Sequence, residues 1–253
     1  MATTTDDQAI DGLGRLELLL TVLVIQAAVL GVVSLSPNST VPFDMTVYAD
    51  LASRIFDGAL PYRDVPLEYP PLSLVSILSP RLLEVVSPIG GYAGYQASFL
   101  LLMGALSLAL TALIWLLARR SLTALDPLRP LLYALLLVAL ASPLLLWRFD
   151  LLPAILTLLA LFWTITGRPV LGGAALALAI AAKLYPAVLV PIFIAAYLAT
   201  RDRRALGGFL AGVVGVGLVL LLGTLLIAPE SVANVLGYSL DRGVQLESTF
   251  AGM

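Results

Sequence analysis

The chain contains neither histidine nor cysteine. Imidazole bases, thiolate nucleophiles, disulfides and nearly every zinc, haem or iron–sulfur site are excluded at once, and no metal or cofactor is expected. The titratable chemistry that remains belongs to carboxylates, tyrosines, arginines and a single lysine, Lys183. These residues are grouped. Asp44 follows Pro42 and Phe43, with Tyr48 one helical turn along, and Pro61, Tyr62, Arg63 and Asp64 lead to Glu68, Tyr69, Pro70 and Pro71. Trp147, Arg148, Phe149 and Asp150 occupy a tight turn between two apolar runs, and Lys183, Leu184, Tyr185 and Pro186 end another. The last segment, GYSLDRGVQLESTF, adds Tyr238, Asp241, Arg242, Gln245 and Glu247.

Each group has a structural and a functional reading. Asp44 suits a helix N-cap as well as a functional carboxylate. Arg148 and Asp150 suit a mutual salt bridge or topology marker, and Lys183 suits simple snorkelling. Charges so close to hydrocarbon are costly, however, and tend to pair and to face a cavity. The adjacent Pro70 and Pro71 that follow Glu68 and Tyr69 fix an extended backbone as the segment enters the membrane and deny Tyr69 the helical region, which aims its side chain.

The elements that position these residues are set by composition. Of 253 residues, 60% are hydrophobic and 12% charged, with a mean hydropathy of +1.01, whereas soluble domains carry roughly 25% charge. Charge-free runs too long and too uniformly apolar for barrel strands indicate an all-α, polytopic helical membrane protein. Spans are expected near 16–35, 92–118, 131–147, 151–166, 170–185, 186–200 and 205–229, about seven crossings in all. The net charge of −2 gives no basic surface for nucleic acid.

Arg15, Arg119, Arg120, Arg129, Arg168, Arg201, Arg203 and Arg204 fall in alternate loops and mark the cytoplasmic side. The N-terminus is then cytoplasmic, and the opposite face is rich in acids. The acidic amino terminus lacks a basic n-region and a cleavage site, so the first run is expected to be retained. The run 71–87 is short and charged near its end; it is expected to be a re-entrant or interfacial helix on the outer face. This gives a cytoplasmic tail at 1–15, a membrane domain at 16–229 with an outer loop at 36–70, and an outer-face segment at 230–253.

Within the outer loop, a helix from Asp44 to Asp57 is expected, capped by Gly58, with Asp50, Arg54 and Asp57 on a solvated ion-pair face. Pro169 and Pro186 bound a short helix. Gly208 and Gly212, with Gly215 and Gly217 on the same run, suggest close helix packing. The middle of every span reads as apolar.

The order of these pieces resembles the GT-C polyprenol-phosphate-sugar glycosyltransferases, and most closely glycosyltransferase family 87, whose members include a mycobacterial phosphatidylinositol-mannoside mannosyltransferase. The matching stretches are Asp44 with Tyr48, DGALPYRDVPLEYPP at 57–71, RFDLLPAILTLLAL at 148–161, GGAALALAIAAKLYP at 172–186 and DRGVQLES at 241–248. The resemblance implies an inverting transfer of mannose or an arabinose-like sugar. The donor would be a polyprenyl phosphate, the acceptor a glycolipid or glycan on the extracytoplasmic face of the plasma membrane, and membrane lipids the surroundings.

By the same resemblance, Asp44 is the general base in a catalytic outer loop, and Arg148, Lys183 and Arg242 meet the donor phosphate. Tyr69 and Tyr185 would stack on sugar or prenyl chain. Tyr48, Tyr62, Asp64, Glu68, Asp150, Gln245 and Glu247 would position the substrates. Family members usually carry further spans after the DRGVQLES region, so the chain is expected to be a fragment or a reduced version. A lipid or solute transporter, or flippase, is the alternative from another class, followed by a non-catalytic membrane scaffold.

Overall fold

The computed structural model describes residues 4–35, 43–84, 89–121, 128–229 and 237. Its helices are α1 (Thr4–Ser34), α2 (Phe43–Phe56), α3 (Ser73–Glu84), α4 (Gly91–Ser121), α5 (Leu128–Trp147), α6 (Leu151–Ile165), α7 (Pro169–Ala182), α8 (Val190–Ala199) and α9 (Arg203–Ile227), with a 3₁₀ turn at Tyr185–Leu189. Among the described residues there is no strand, only an isolated bridge between Pro61 and Val65. The fold is all-helical. The residues expected to form a tail continue α1 back to Thr4.

Three helices are long and apolar enough to cross a membrane, within Leu16–Ser34, Gly91–Arg120 and Arg203–Ile227. Among the described residues, helix length and composition support these three of the seven expected crossings. The apolar runs at 151–165 and 169–182 are helical, but at 15 and 14 residues they measure about 21–23 Å against roughly 30 Å of hydrocarbon. Proline explains the shortness at α7. Pro186 cannot donate to the carbonyl four residues back and its ring would clash there, so α7 stops at Ala182 and Lys183 turns to extended backbone (φ −160°, ψ 142°). The helix ends before Lys183 and Tyr185 rather than including them. α3, with 12 residues and Pro80 inside it, is far too short to span. Large apolar side chains lie exposed along the long helices, among them Leu101, Leu140, Val219 and Leu226; a surface of that kind suits hydrocarbon rather than water.

Packing is centred on α7, which lies against α6 and α9. Gly167, in the left-handed region at φ 73°, makes the tight α6–α7 turn. Small residues let the backbones touch: a Cβ on Gly173 would lie 2.0 Å from the Phe209 carbonyl oxygen, and one on Gly212 would lie 2.1 Å from that of Val170. Gly208 approaches only the Pro169 and Val170 side chains, and Gly215 and Gly217 have open space. The expected packing stripe thus narrows to Gly212, with Gly208 beside it. Gly173→Ala is expected to cost about 1–3 kcal/mol through overpacking and to lower the thermal denaturation temperature in detergent. Gly215→Ala is expected to leave it unchanged, and equal losses in both variants would contradict this packing.

The middle of the bundle is not wholly apolar. Gln26 of α1 donates from Nε2 to Ser107 Oγ (2.8 Å) and accepts at Oε1 from Thr111 Oγ1 (2.8 Å), both on α4. All three side chains are buried. Since each polar atom is partnered, this is an interhelical clamp of the kind membrane bundles use, and it corrects the reading of apolar span centres.

Candidate active site

The α2 helix starts at Phe43 and puts Asp44 in its first turn, where the positive end of the helix dipole favours a carboxylate. At its other end Gly58 (φ 104°) closes the chain reversal, with Gly58 N donating to Ile55 O and Ala59 N to Arg54 O. Asp50, Arg54 and Asp57 are all exposed, yet among the described residues Arg54 forms no ion pair with either acid; its Nη2 donates to the Asp64 carbonyl (3.2 Å). Asp64 accepts from Leu60 N through Oδ2 (2.9 Å) and holds the turn that follows. Tyr62, buried and with φ 68°, donates its hydroxyl to the Tyr69 carbonyl (2.7 Å). Asp64 and Tyr62 therefore shape the loop that presents Tyr69.

Prolines 70 and 71 carry the chain into α3, and Leu72 N donates to the Ala181 carbonyl (2.8 Å). That bond satisfies a carbonyl at the end of α7 that has no partner within its own helix. It also fastens the loop beside Lys183.

The 148–150 turn supplies the rest. Asp150 stands at the N-cap of α6, yet its side chain makes no capping bond. Its Oδ1 instead pairs with Lys183 Nζ, and that ammonium lies 5.2 Å from the Phe149 ring centroid. Arg148 Nε lies 3.5 Å from Asp44 Oδ2. The turn thus directs its two charges to different helices, which replaces the alternative of a mutual Arg148–Asp150 bridge. In both pairs the side chains are about one-third exposed, from 29% for Arg148 to 35% for Asp44 and Asp150. They remain open to a ligand.

Aromatic rings floor this cluster. Phe149 meets Tyr69 at 5.0 Å and Tyr48 at 5.3 Å, edge to face, and Tyr48 stacks on Phe99 at 5.8 Å. Burial, and then the Asp44 carboxylate, push the Tyr48 phenol well above its ordinary pKa; hydrogen bonding with Tyr69, the Asp150 carboxylate and the Arg148 guanidinium also act on it. Three of the four paired charges, those of Asp44, Arg148 and Asp150, thus act on this one phenol. Tyr69 is pushed up by burial and by its contacts with Tyr48 and Glu68, and Tyr62 by burial. Tyr185, half exposed at the start of the 3₁₀ turn, is pushed up to about 12 by burial and by Asp150. All four phenols stay protonated near neutrality and keep a donor.

The structure accordingly brings together Asp44, Tyr48, Tyr69, Arg148, Asp150 and Lys183, with Glu68 and Tyr185 at the edge. Arg242, Gln245 and Glu247 lie outside the described residues. Phe149 was not singled out by sequence as part of the site, although its place between two charges was a visible signal. Chemically, the cluster offers carboxylates able to take a proton, cations able to meet an anion, and flat apolar rings between them.

The profile of Glycosyltransferase family 87 matches residues 67–249. No curated protein sequence matches the chain, and no solved structure does. The matched stretch contains Glu68, Tyr69, Arg148, Asp150, Lys183 and Tyr185, while Asp44, Tyr48, Tyr62 and Asp64 precede it. Because a match of that extent covers well over half of the 253 residues, the membrane protein that carries this charged and aromatic cluster can be assigned: the chain belongs to glycosyltransferase family 87, a family of sugar-transferring enzymes.

Proposed function

We propose that the chain performs an inverting transfer of mannose or an arabinose-like sugar from a polyprenyl phosphate to a hydroxyl of a glycolipid or glycan. The observation that carries this reading is the convergence of the Asp44–Arg148 and Asp150–Lys183 pairs on the Tyr48, Tyr69 and Phe149 rings. As the acceptor oxygen bonds to the anomeric carbon, Asp44 takes its proton. The bond from that carbon to the phosphate oxygen breaks, and the electron pair leaves with the polyprenyl phosphate. Negative charge then accumulates on the phosphate, which Lys183 meets as a compact charge and Arg148 as a planar fork.

Asp150 positions Lys183, and Tyr69 and Tyr185 contact sugar or prenyl chain. Tyr48, Tyr62, Asp64 and Glu68 shape the pocket. Arg242 is assigned as a third cation for the phosphate, and Gln245 and Glu247 as further substrate contacts.

We place the site on the extracytoplasmic face of the plasma membrane and the N-terminus in the cytoplasm. Support comes from arginine placement: Arg119, Arg120, Arg168, Arg201, Arg203 and Arg204 lie at helix ends and turns remote in connectivity from the 148–150 turn and Lys183. Nucleotide sugars are not supplied on the outer face, which favours a lipid-phosphate donor. In intact cells, a cysteine replacing Arg63 is expected to react with an impermeant thiol reagent, and one replacing Arg204 is not; the reverse pattern would invert the topology.

The activity test uses purified protein in liposomes with radiolabelled polyprenyl-phosphate mannose, polyprenyl-phosphate arabinose or a nucleotide sugar. Label is expected to reach glycolipid from one of the lipid phosphates. Transfer from the nucleotide sugar alone would refute the donor assignment.

A further inference from the structure

Away from the Asp44 cluster, the turn between α8 and α9 borders a cavity of about 320 Å³ lined by Tyr197, Leu198, Arg201, Arg203 and Leu206. That volume lies at the lower edge of the roughly 300–1,000 Å³ typical of small-ligand sites. Tyr197 is 8% exposed, and its hydroxyl is buried with no hydrogen-bond partner among the described residues. A tyrosine of the interfacial belt keeps its hydroxyl among headgroups and water; here the ring is held 5.5 Å from the Phe209 ring, which itself stacks on Phe193 at 5.2 Å. Phe209 is in turn fixed by the close approach of Gly173 to its carbonyl. The hydroxyl is thus a donor held inside the protein at a free-energy cost that a ligand would remove.

Two guanidinium groups share the cavity. Neither Arg201 nor Arg203 has a carboxylate partner among the described residues, and the intervening Asp202 caps α9 by accepting from Ala205 N (2.9 Å). Arg201 sits at φ 57°, a left-handed position that glycine occupies at lower cost. Leu198 and Leu206 add an apolar wall. Two forked cationic donors, a buried hydroxyl and an apolar side match a tetrahedral oxyanion attached to an organic group.

We propose that this cavity binds the phosphate group of an anionic ligand, with Arg201 and Arg203 meeting its charge and Tyr197 donating a hydrogen bond. The site is separate from the Asp44 cluster and does not depend on the reaction assigned there. Two sources carry this chemistry, the headgroup of an anionic phospholipid and a soluble organic phosphate.

The test uses the full chain purified in a neutral detergent, with bound lipid counted by native mass spectrometry. Phosphatidylglycerol is expected to be retained in preference to phosphatidylcholine. Tyr197→Phe keeps the ring packing and removes only the hydroxyl, while Arg203→Gln removes a charge. Each is expected to reduce phosphatidylglycerol occupancy by about ten-fold without lowering the thermal denaturation temperature. If excess glycerol phosphate displaces the lipid, the site reads the phosphate group from either source; if it does not, the source is the lipid. Equal retention of both lipids by the wild-type chain, with no binding of glycerol phosphate, would overturn the proposal. So would undiminished phosphatidylglycerol occupancy in both variants.

Discussion

Asp44→Asn is expected to insert and fold like the wild-type chain and to lose sugar transfer by about 100- to 10,000-fold, the range in which a general base contributes. Asparagine matches aspartate in size and is well tolerated at a helix start, so the first turn of α2 is preserved. What disappears is the carboxylate that lies 3.5 Å from Arg148 and takes the acceptor proton. Loss of the base is expected in kcat, with the donor KM little changed. Were Asp44 only an anchor for Arg148, Arg148→Gln would reproduce the Asp44→Asn profile in both constants. Near-wild-type turnover by correctly inserted Asp44→Asn protein would remove Asp44 from the mechanism.

The second large effect is expected at Lys183. Replacing it by glutamine takes away the ammonium that Asp150 and the Phe149 ring hold in place, and donor affinity is expected to fall about ten-fold or more. Lys183→Arg is expected to recover only part of this loss, because a planar guanidinium cannot occupy the place of a compact ammonium. Asp150→Asn keeps the cation but frees it, so its affinity loss is expected to lie between wild type and Lys183→Gln. Insertion should be unaffected in all three, since the paired side chains are about one-third exposed and a pair so placed contributes little to stability. Donor affinity unchanged in Lys183→Gln would make this lysine an anchor at the membrane surface.

Much of the architecture was legible in the sequence because charges and prolines punctuate it. The α6–α7 hairpin is bounded by Asp150, Gly167 and Pro169, and Pro186 sets where α7 must already have stopped. Grouping of the charged residues at particular span ends was legible for the same reason. Partner choice within the group was not. Arg148 and Asp150 flank Phe149 in one turn, yet their partners come from α2 and from the end of α7. Only the packing of the loop on α7, through Leu72 and Ala181, brings these together.

Backbone detail was also hidden. Nothing about Tyr62 announces a positive φ, and its hydroxyl bond to the Tyr69 carbonyl depends on that turn. Gln26 was visible as one amide in a long apolar run, but its partners Ser107 and Thr111 are distant in sequence and each looks unremarkable on its own helix. Helix length was overestimated where an apolar run continues past its last helical residue, as at Lys183.

The most direct test of the central claim is to locate the donor on the protein without relying on turnover. A polyprenyl-phosphate sugar bearing a photoreactive group on the sugar would be bound to the purified chain in liposomes and irradiated, and the modified peptides identified by mass spectrometry. Modification is expected within the segments holding Tyr69, Phe149 and Tyr185, suppressed by excess unlabelled donor and weakened in Lys183→Gln. Competed modification confined to the α8–α9 turn, with none in those three segments, would contradict that claim.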